Sequence, residues 1–370
     1  MKLTAAIKLS PTPEQADALR RTLETANTAC NTISRTAWQA KTFRQFALHK
    51  LVYQDTRAAF SLAAQVAVRC IAKVSDAYKL DRTVLRTFAR LGALAYDARI
   101  LSYNLQASSV SIWTMNGRQT IPFVCGERQR AMLQSQKGET DLVFRKGEWY
   151  LLASCDVAQA EPIASTGVLG IDLGVTNIAS DSDGSVHSGK AVKNVRYRHR
   201  RLRQKLQRKG TKGARRRLRK LSGQERRFAT WVNHNLSKRI VVKAEGTTRA
   251  IALEDLKHIR TRVTARRSQR ATLHSWAFFQ LRAFIAYKAA LVGVGVHLVD
   301  PRNTSRECPQ CGCIDKNNRK TQASFVCTSC GFAGPADVIA AGNIARRALV
   351  NAPYCSDTDS SVAPGQSRRL

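Results

Sequence analysis

The chain has 370 residues, 44% of them hydrophobic, which is enough for two or three folded modules with a sizeable core. Lys and Arg number 61 against 26 Asp and Glu, a formal net charge of +35, so the natural partner is a polyanion. No apolar run approaches the roughly 18–20 residues of a spanning helix, and the opening MKLTAAIKLSPTPEQ lacks the apolar core of a secretory signal, so membrane insertion and export are not expected.

Residues 1–10 alternate weakly and predict a strand, ended by Pro11 and Pro13. From 11 to 105 the chain is rich in Ala, Leu, Arg and Thr with almost no Gly. Apolar residues there recur at three-and-four spacing (Leu48, Leu51, Val52, then Ala63, Val66, Ala67, Cys70, Ile71), which predicts a helical domain. From 106 to 162 the period changes to two, in SVSIWT, QTIPFV and TDLVFRKGEWYLLASCDV, the last a hairpin turning at Lys146-Gly147. Together, 1–10 and 106–162 predict a small β-barrel interrupted by helices.

A second domain is expected over 166–307 and 331–350. It opens with the apolar strand GVLGIDLGV and a hairpin whose tip is Asp183-Gly184. A basic helical segment follows over 190–245, then the strand RAIALEDL, a helix around 271–292, the strand VGVHLVD and a last helix over about 336–349. The tail, 351–370, is rich in Pro, Ser, Gly and Asp and reads as disordered. There is no internal repeat.

Five of the ten cysteines fall between 308 and 330. Cys308, Cys311, Cys327 and Cys330 form C-x2-C-x15-C-x2-C, and a Gly follows each second cysteine. Each C-x2-C turn aims two thiolates at one point, so this spacing predicts one structural Zn²⁺ in a module spanning 308–330. Four protein ligands leave no open position, which points to folding rather than catalysis. Cys313 reads as a bystander.

Three acids stand out. Asp172 lies inside Leu169-Gly170-Ile171-Asp172-Leu173-Gly174, where a buried carboxylate is costly unless paired or metal-bound. Glu254 and Asp255 end the apolar Ile251-Ala252-Leu253, and periodicity does not choose between them, because a central strand buries both faces. Asp337 falls in the first turn of the last predicted helix, where the helix dipole favours an acid in any case. A strand acid before a hairpin, an acid ending a later strand and an acid on a terminal helix is the order of an RNase H-like nuclease. In such enzymes the carboxylates converge on two Mg²⁺ ions.

Between Lys190 and Lys220 there are sixteen Lys or Arg in 31 residues and no acid. Such a run repels itself unless a polyanion neutralises it. Arg196, Arg200, Arg203, Lys205, Arg208, Lys212, Arg215, Arg216, Arg217 and Arg219 are the candidate phosphate contacts. The interleaved Tyr197, Phe228 and Trp231 read as core residues, with base stacking as the alternative.

The chain resembles TnpB (OrfB), the transposon-encoded RNA-guided endonucleases related to type V CRISPR effectors. The similarity rests on Gly170-Ile171-Asp172-Leu173-Gly174, the Ile251–Leu256 strand, Thr304 through Gly312, Phe325 through Gly331, and Asp337 with Ala340-Ala341-Gly342-Asn343-Ile344. Leu9-Ser10-Pro11-Thr12-Pro13-Glu14-Gln15 extends it to the opening. The resemblance implies a multi-domain α+β chain: an RNase H-like (RuvC) α/β nuclease domain with an inserted zinc ribbon, plus a β-barrel wedge domain interrupted by a helical recognition bundle. It implies Asp172, Glu254 and Asp337 as catalytic, Mg²⁺-binding residues, and so selects Glu254 over Asp255. It also implies a guide RNA from the transposon end, a double-stranded DNA target beside a short adjacent motif, and a cytoplasmic, nucleoid-associated place in a prokaryotic cell. Ile339 departs from the pattern, standing where an Asn commonly precedes the paired alanines, and this bears on local hydrogen bonding near Asp337. Two other readings remain: an RNA-guided DNA-binding regulator with weak or no cleavage, and a DDE-type transposase.

Overall fold

The computed structural model describes residues 1–256 and 278–351. The chain divides into two compact units, Met1–Ala158 and Gln159–Leu370. The first seven residues of the helix expected around 271–292, and the tail expected to be disordered, lie outside the described residues, apart from residue 351 at the end of the last helix.

In the first unit, β1 (Lys2–Leu9) leads into α1 (Pro13–Gln39), α2 (Gln45–Phe60) and α3 (Ala64–Leu80). The start of α1 is set by a capping box: the Gln15 amide donates to Thr12 Oγ1, and the Thr12 amide donates to Gln15 Oε1. Pro13 occupies the first turn, where its missing N–H costs nothing. Seven strands then form one sheet in the order β2-β6-β7-β1-β5-β4-β3. These are β1 with β2 (Leu94–Tyr96), β3 (Leu101–Asn104), β4 (Ser109–Thr114), β5 (Gly117–Val124), β6 (Gln136–Arg145) and β7 (Glu148–Asp156). The sheet nearly closes into a barrel: Tyr96 of β2 donates to the Trp113 carbonyl of β4, and the Tyr103 and Thr140 hydroxyls of β3 and β6 lie 3.2 Å apart. Helices and sheet share one apolar cluster, from Ile7 and Leu9 through Leu23, Ile33 and Ile71 to Tyr96, Ile112 and Leu151.

The helical reading of 11–105 extends too far. Regular helix ends at Leu80, and residues 94–104 contribute β2 and β3, the two outer strands of the sheet. Strands of three and four residues are too short for alternation to register against a helical background. The short α4 (Glu127–Gln134), between β5 and β6, was likewise not anticipated.

The second unit is built on a five-stranded mixed sheet in the order β10-β9-β8-β11-β12. Its strands are β8 (Gly167–Asp172), β9 (Asn177–Asp181), β10 (Val186–Ser188), β11 (Arg249–Glu254) and β12 (Val296–Val299). β8, β9 and β10 run antiparallel in turn, whereas β8, β11 and β12 are parallel. The basic segment forms α5 (Lys190–Lys209), α6 (Lys212–Leu221) and α7 (Gln224–Gly246). Then come α8 (Phe278–Leu291), the hairpin β13 (Ser324–Val326) and β14 (Ala333–Pro335), and α9 (Ala336–Asn351).

Both faces of this sheet are covered, and strand alternation sorts residues between them. Leu169, Ile171, Ile251 and Leu253 pack with Leu236, Ile240 and Val241 of α7 and Leu281 and Ile285 of α8. The residues of opposite parity, Ala252 with Val299 of β12, pack with Ile344 and Ala348 of α9. Gly170 lies on that second face, and a Cβ there would come 2.0 Å from the Ala341 carbonyl oxygen. Only glycine lets α9 lie so close to β8.

Candidate active site and cysteine centre

β8 and β11 pair in parallel with Leu253 opposite Ile171, so the next pair along, Asp172 and Glu254, stand level at the C-terminal ends of adjacent strands. Both share the parity of Gly170 and Ala252 and face α9. That helix carries Asp337 in its first turn. The two acids at the end of β11 thus face opposite sides of the sheet. Asp255 has the other parity, and Arg282 of α8 donates to its carboxylate at 2.7 Å.

Asp172 feels the other two acids. The Asp172 carboxyl is pushed up to about 7, first by burial and then by the negative charges of Glu254 and Asp337, with Arg319 opposing. Burial also raises Glu254, against a hydrogen bond from Thr304 that favours its charged form. Thr304 Oγ1 lies 2.5 Å from Glu254 Oε1. Asp337 is held on both oxygens: Asn177 Nδ2 donates to Oδ2 at 2.8 Å, and Arg319 donates to Oδ1 at 2.5 Å, with both ion-pair side chains largely buried. Sequence reasoning missed Thr304, Asn177 and Arg319 as partners. Their contacts span 50, 160 and 18 residues of chain, and no local pattern announces them. The donor set is all carboxylate oxygen, which suits a hard divalent cation such as Mg²⁺.

The four predicted cysteines meet. Their sulfurs lie within 4.8 Å of one another, the only such grouping of metal-ligating side chains among the described residues. Cys308 and Cys330 sulfurs are 3.6 Å apart, and those of Cys311 and Cys327 are 3.5 Å apart. A regular tetrahedron with Zn–S near 2.3 Å would require about 3.8 Å, so the cluster is consistent with zinc. Gly312 and Gly331 both adopt φ of 73°, the left-handed conformation that each knuckle needs. The backbone amides of Cys330 and Ser329 point at the Cys327 sulfur and hold its thiol down to about 6. Cys313 stands outside the grouping. Ile339 packs against Cys308, Phe325 and Cys327, so at this departure from the family pattern the α9 side chain seals the cysteine module.

Of the ten predicted phosphate contacts, nine are exposed: Arg200, Arg203, Lys205, Arg208, Lys212, Arg215, Arg216, Arg217 and Arg219. Arg196 is the exception. Its side chain is 14% exposed and pairs with Glu225 of α7 at 3.3 Å, while Arg203 reaches the same carboxylate at 3.7 Å. Arg196 therefore braces α5 against α7, using an acid that lies beyond the run. The core reading of the aromatics fails for two of three: Tyr197 is 61% exposed and Trp231 62%, whereas Phe228 packs on the apolar core. A groove of about 720 Å³ runs along α5, lined by Arg198, Arg201, Gln204, Lys205, Arg208 and Lys209. Among the described residues no helix is long and apolar enough to cross a membrane.

Residues 154–258 match the OrfB family of IS605 type, described as "Probable transposase", and residues 278–344 match the "Cas12f1-like, TNB domain" family. Over 220 residues the chain is 34% identical to the CRISPR-associated endodeoxyribonuclease Cas12f1 of Sulfoacidibacillus thermotolerans, covering 54% of this chain and 50% of that protein. It is 35% identical over 130 residues to a TnpB-like protein of Methanocaldococcus jannaschii, covering 35% of this chain and 46% of that one. The chain thus spans about half the length of these curated relatives. The cryo-EM structure of a Cas12f1-sgRNA-target DNA complex shares the fold, with a TM-score of 0.61 at 17% identity over 90% of this chain and 83% of that chain. The chain thus carries an OrfB-type (TnpB) segment and a Cas12f1-like TNB domain, which relate it to the TnpB-like proteins and the Cas12f type V effectors.

Proposed function

We propose that the chain is a transposon-encoded, RNA-guided, Mg²⁺-dependent DNA endonuclease that cuts target DNA beside a short adjacent motif. The mixed sheet with α7, α8 and α9 would be the RNase H-like (RuvC) nuclease domain. The barrel of the first unit would be the wedge and its helices the recognition lobe, and the cysteine module would hold one structural Zn²⁺. A single observation carries the nuclease reading: Asp172 and Glu254 stand level on one sheet face, beneath the helix that bears Asp337, with the Asp172 carboxyl pushed up to about 7. Gathering three acids in a buried setting costs free energy that a bound cation offsets. Two Mg²⁺ ions held by Asp172, Glu254 and Asp337 would supply an activated water and stabilisation of the leaving oxygen in phosphodiester hydrolysis.

The chain's own residues do the rest. Asn177 and Thr304 orient two of the carboxylates, and Arg319 balances charge at Asp337. The exposed cations of α5 and α6 would hold phosphate, with a steep salt dependence from counterion release. Partner identity follows the relatives: one is named an endodeoxyribonuclease, and the matched fold comes from a complex with sgRNA and target DNA. The Arg319–Asp337 ion pair favours a second reading, a guided DNA binder with a weak nuclease.

The test is to sequence the RNA that co-purifies with the protein and to offer DNA matching its guide portion. Cutting that follows the guide and needs Mg²⁺ is the expected result. Guided binding without cutting in the unmodified protein would favour the regulator, and absence of a defined RNA would overturn the guided reading altogether.

A further inference from the structure

The loop between β12 and the cysteine module passes directly beside the carboxylate face, and its contacts are more numerous than a connection requires. Thr304 in this loop is 2% exposed. Its hydroxyl lies 2.5 Å from Glu254 Oε1 and 3.1 Å from the Pro301 carbonyl oxygen. One hydroxyl has one proton to give, and a charged carboxylate accepts more strongly than a neutral carbonyl, so the proton belongs to Glu254.

Thr304 is itself anchored independently of Glu254. Asn343, fully buried on α9, donates through Nδ2 to the carbonyls of both Thr304 and Glu307 at 2.8 Å. The Glu307 carboxylate is gripped from the same helix by Arg346 and, at 2.6 Å, by Arg347. The helix that carries Asp337 therefore also fixes the hydroxyl that fixes Glu254. Without that hydroxyl, a glutamate at a strand end keeps rotatable bonds that the strand does not restrain.

We propose that Thr304 is a positioning residue for the carboxylate site: its hydroxyl orients Glu254 for divalent-cation binding and ties that carboxylate to the helix bearing Asp337. This rests on the reading of Asp172, Glu254 and Asp337 as a metal site. Groups that orient a metal-binding side chain typically contribute 10- to 100-fold in affinity.

The test uses the full chain, freed of nucleic acid, titrated with Mn²⁺ alone by calorimetry, together with the Mg²⁺ dependence of guided cutting. Thr304→Val should weaken Mn²⁺ binding by roughly 10- to 100-fold, and move half-maximal cutting to a correspondingly higher Mg²⁺ concentration, with zinc content unchanged. Thr304→Ser keeps the hydroxyl and should behave as the parent, even if loss of the methyl lowers stability. Thr304→Val binding Mn²⁺ as the parent does, while Glu254→Gln loses it, would overturn the role of Thr304 alone. Equal loss in Thr304→Ser and Thr304→Val would also overturn it, since packing and not the hydroxyl would then be responsible. If Glu254→Gln binds Mn²⁺ normally too, the carboxylate reading itself falls, and this proposal with it.

Discussion

The second unit contains two candidate metal sites, built in opposite ways. The cysteine centre draws all its ligands from residues 308–330, with two matched knuckles and a short hairpin. The carboxylate site takes Asp172, Glu254 and Asp337 from two strands and a terminal helix, and sheet pairing and helix packing bring them to one face. A local centre needs its ion to hold its shape; an assembled centre needs the fold to be right first. The two should therefore respond differently to the same perturbations.

The largest effect should come from the local centre. Cys308→Ser removes one of four thiolates from a closed site, and should release about one zinc per chain and lower the unfolding temperature, because zinc binding contributes directly to folding. Unchanged metal content by mass spectrometry would remove the zinc centre from the account.

The comparison sharpens at Gly170. Adding a Cβ there would meet the Ala341 carbonyl at 2.0 Å and the Ala345 amide at 2.7 Å, so α9 must move off β8. Overpacking of this kind costs typically about 1–3 kcal/mol. Gly170→Ala should lose Mn²⁺ binding while keeping its zinc. Loss of both together would mean that the two centres are not built independently.

A smaller effect, dependent on pH, is expected at Asp172. An acid whose pKa is higher folded than unfolded keeps its proton longer in the native state, so its contribution to stability falls as pH rises. For Asp172 the window runs from the ordinary carboxylate value of 3.8 to about 7. Asp172→Asn removes this penalty. Without divalent cation, the variant should match the parent near pH 4 and exceed it by roughly 2–4 kcal/mol at pH 8. Denaturant titrations at the two pH values measure the difference, and a gap that does not grow with pH would contradict the burial of Asp172.

The same contrast explains what could be read from sequence. The cysteine centre was legible because its geometry is encoded in spacing. Asp172 and the two hairpins, at Lys146-Gly147 and Asp183-Gly184, were legible because an acid in an apolar strand and a turn pair are local signals. The choice between Glu254 and Asp255 was not, because apolar residues flank both faces of β11 until α8 and α9 are known to cover them. Resemblance selected Glu254, and strand parity puts Glu254, not Asp255, on the face that carries Asp172. Thr304, Asn177 and Arg319 depend on tertiary contacts that composition does not encode. Tyr197 and Trp231 were misjudged because an aromatic on an amphipathic helix usually faces inward, whereas here the exposed face of α5 and α7 carries them. The pairing of Arg196 was not legible because its partner, Glu225, lies just beyond the basic run.

The central claim is that one face of the mixed sheet does the cutting. Neighbouring acids on opposite faces of β11 test it most directly, by comparing Glu254→Gln with Asp255→Asn in guided DNA cleavage at fixed Mg²⁺. Glu254→Gln should lower cutting by at least about 100-fold, the order expected when a metal-assisted step is lost, while guided DNA binding is retained. Asp255→Asn, which weakens the contact with Arg282 on the opposite side of the strand, should cut within a few-fold of the parent. Cutting that survives Glu254→Gln, or that fails equally in Asp255→Asn, would contradict the account.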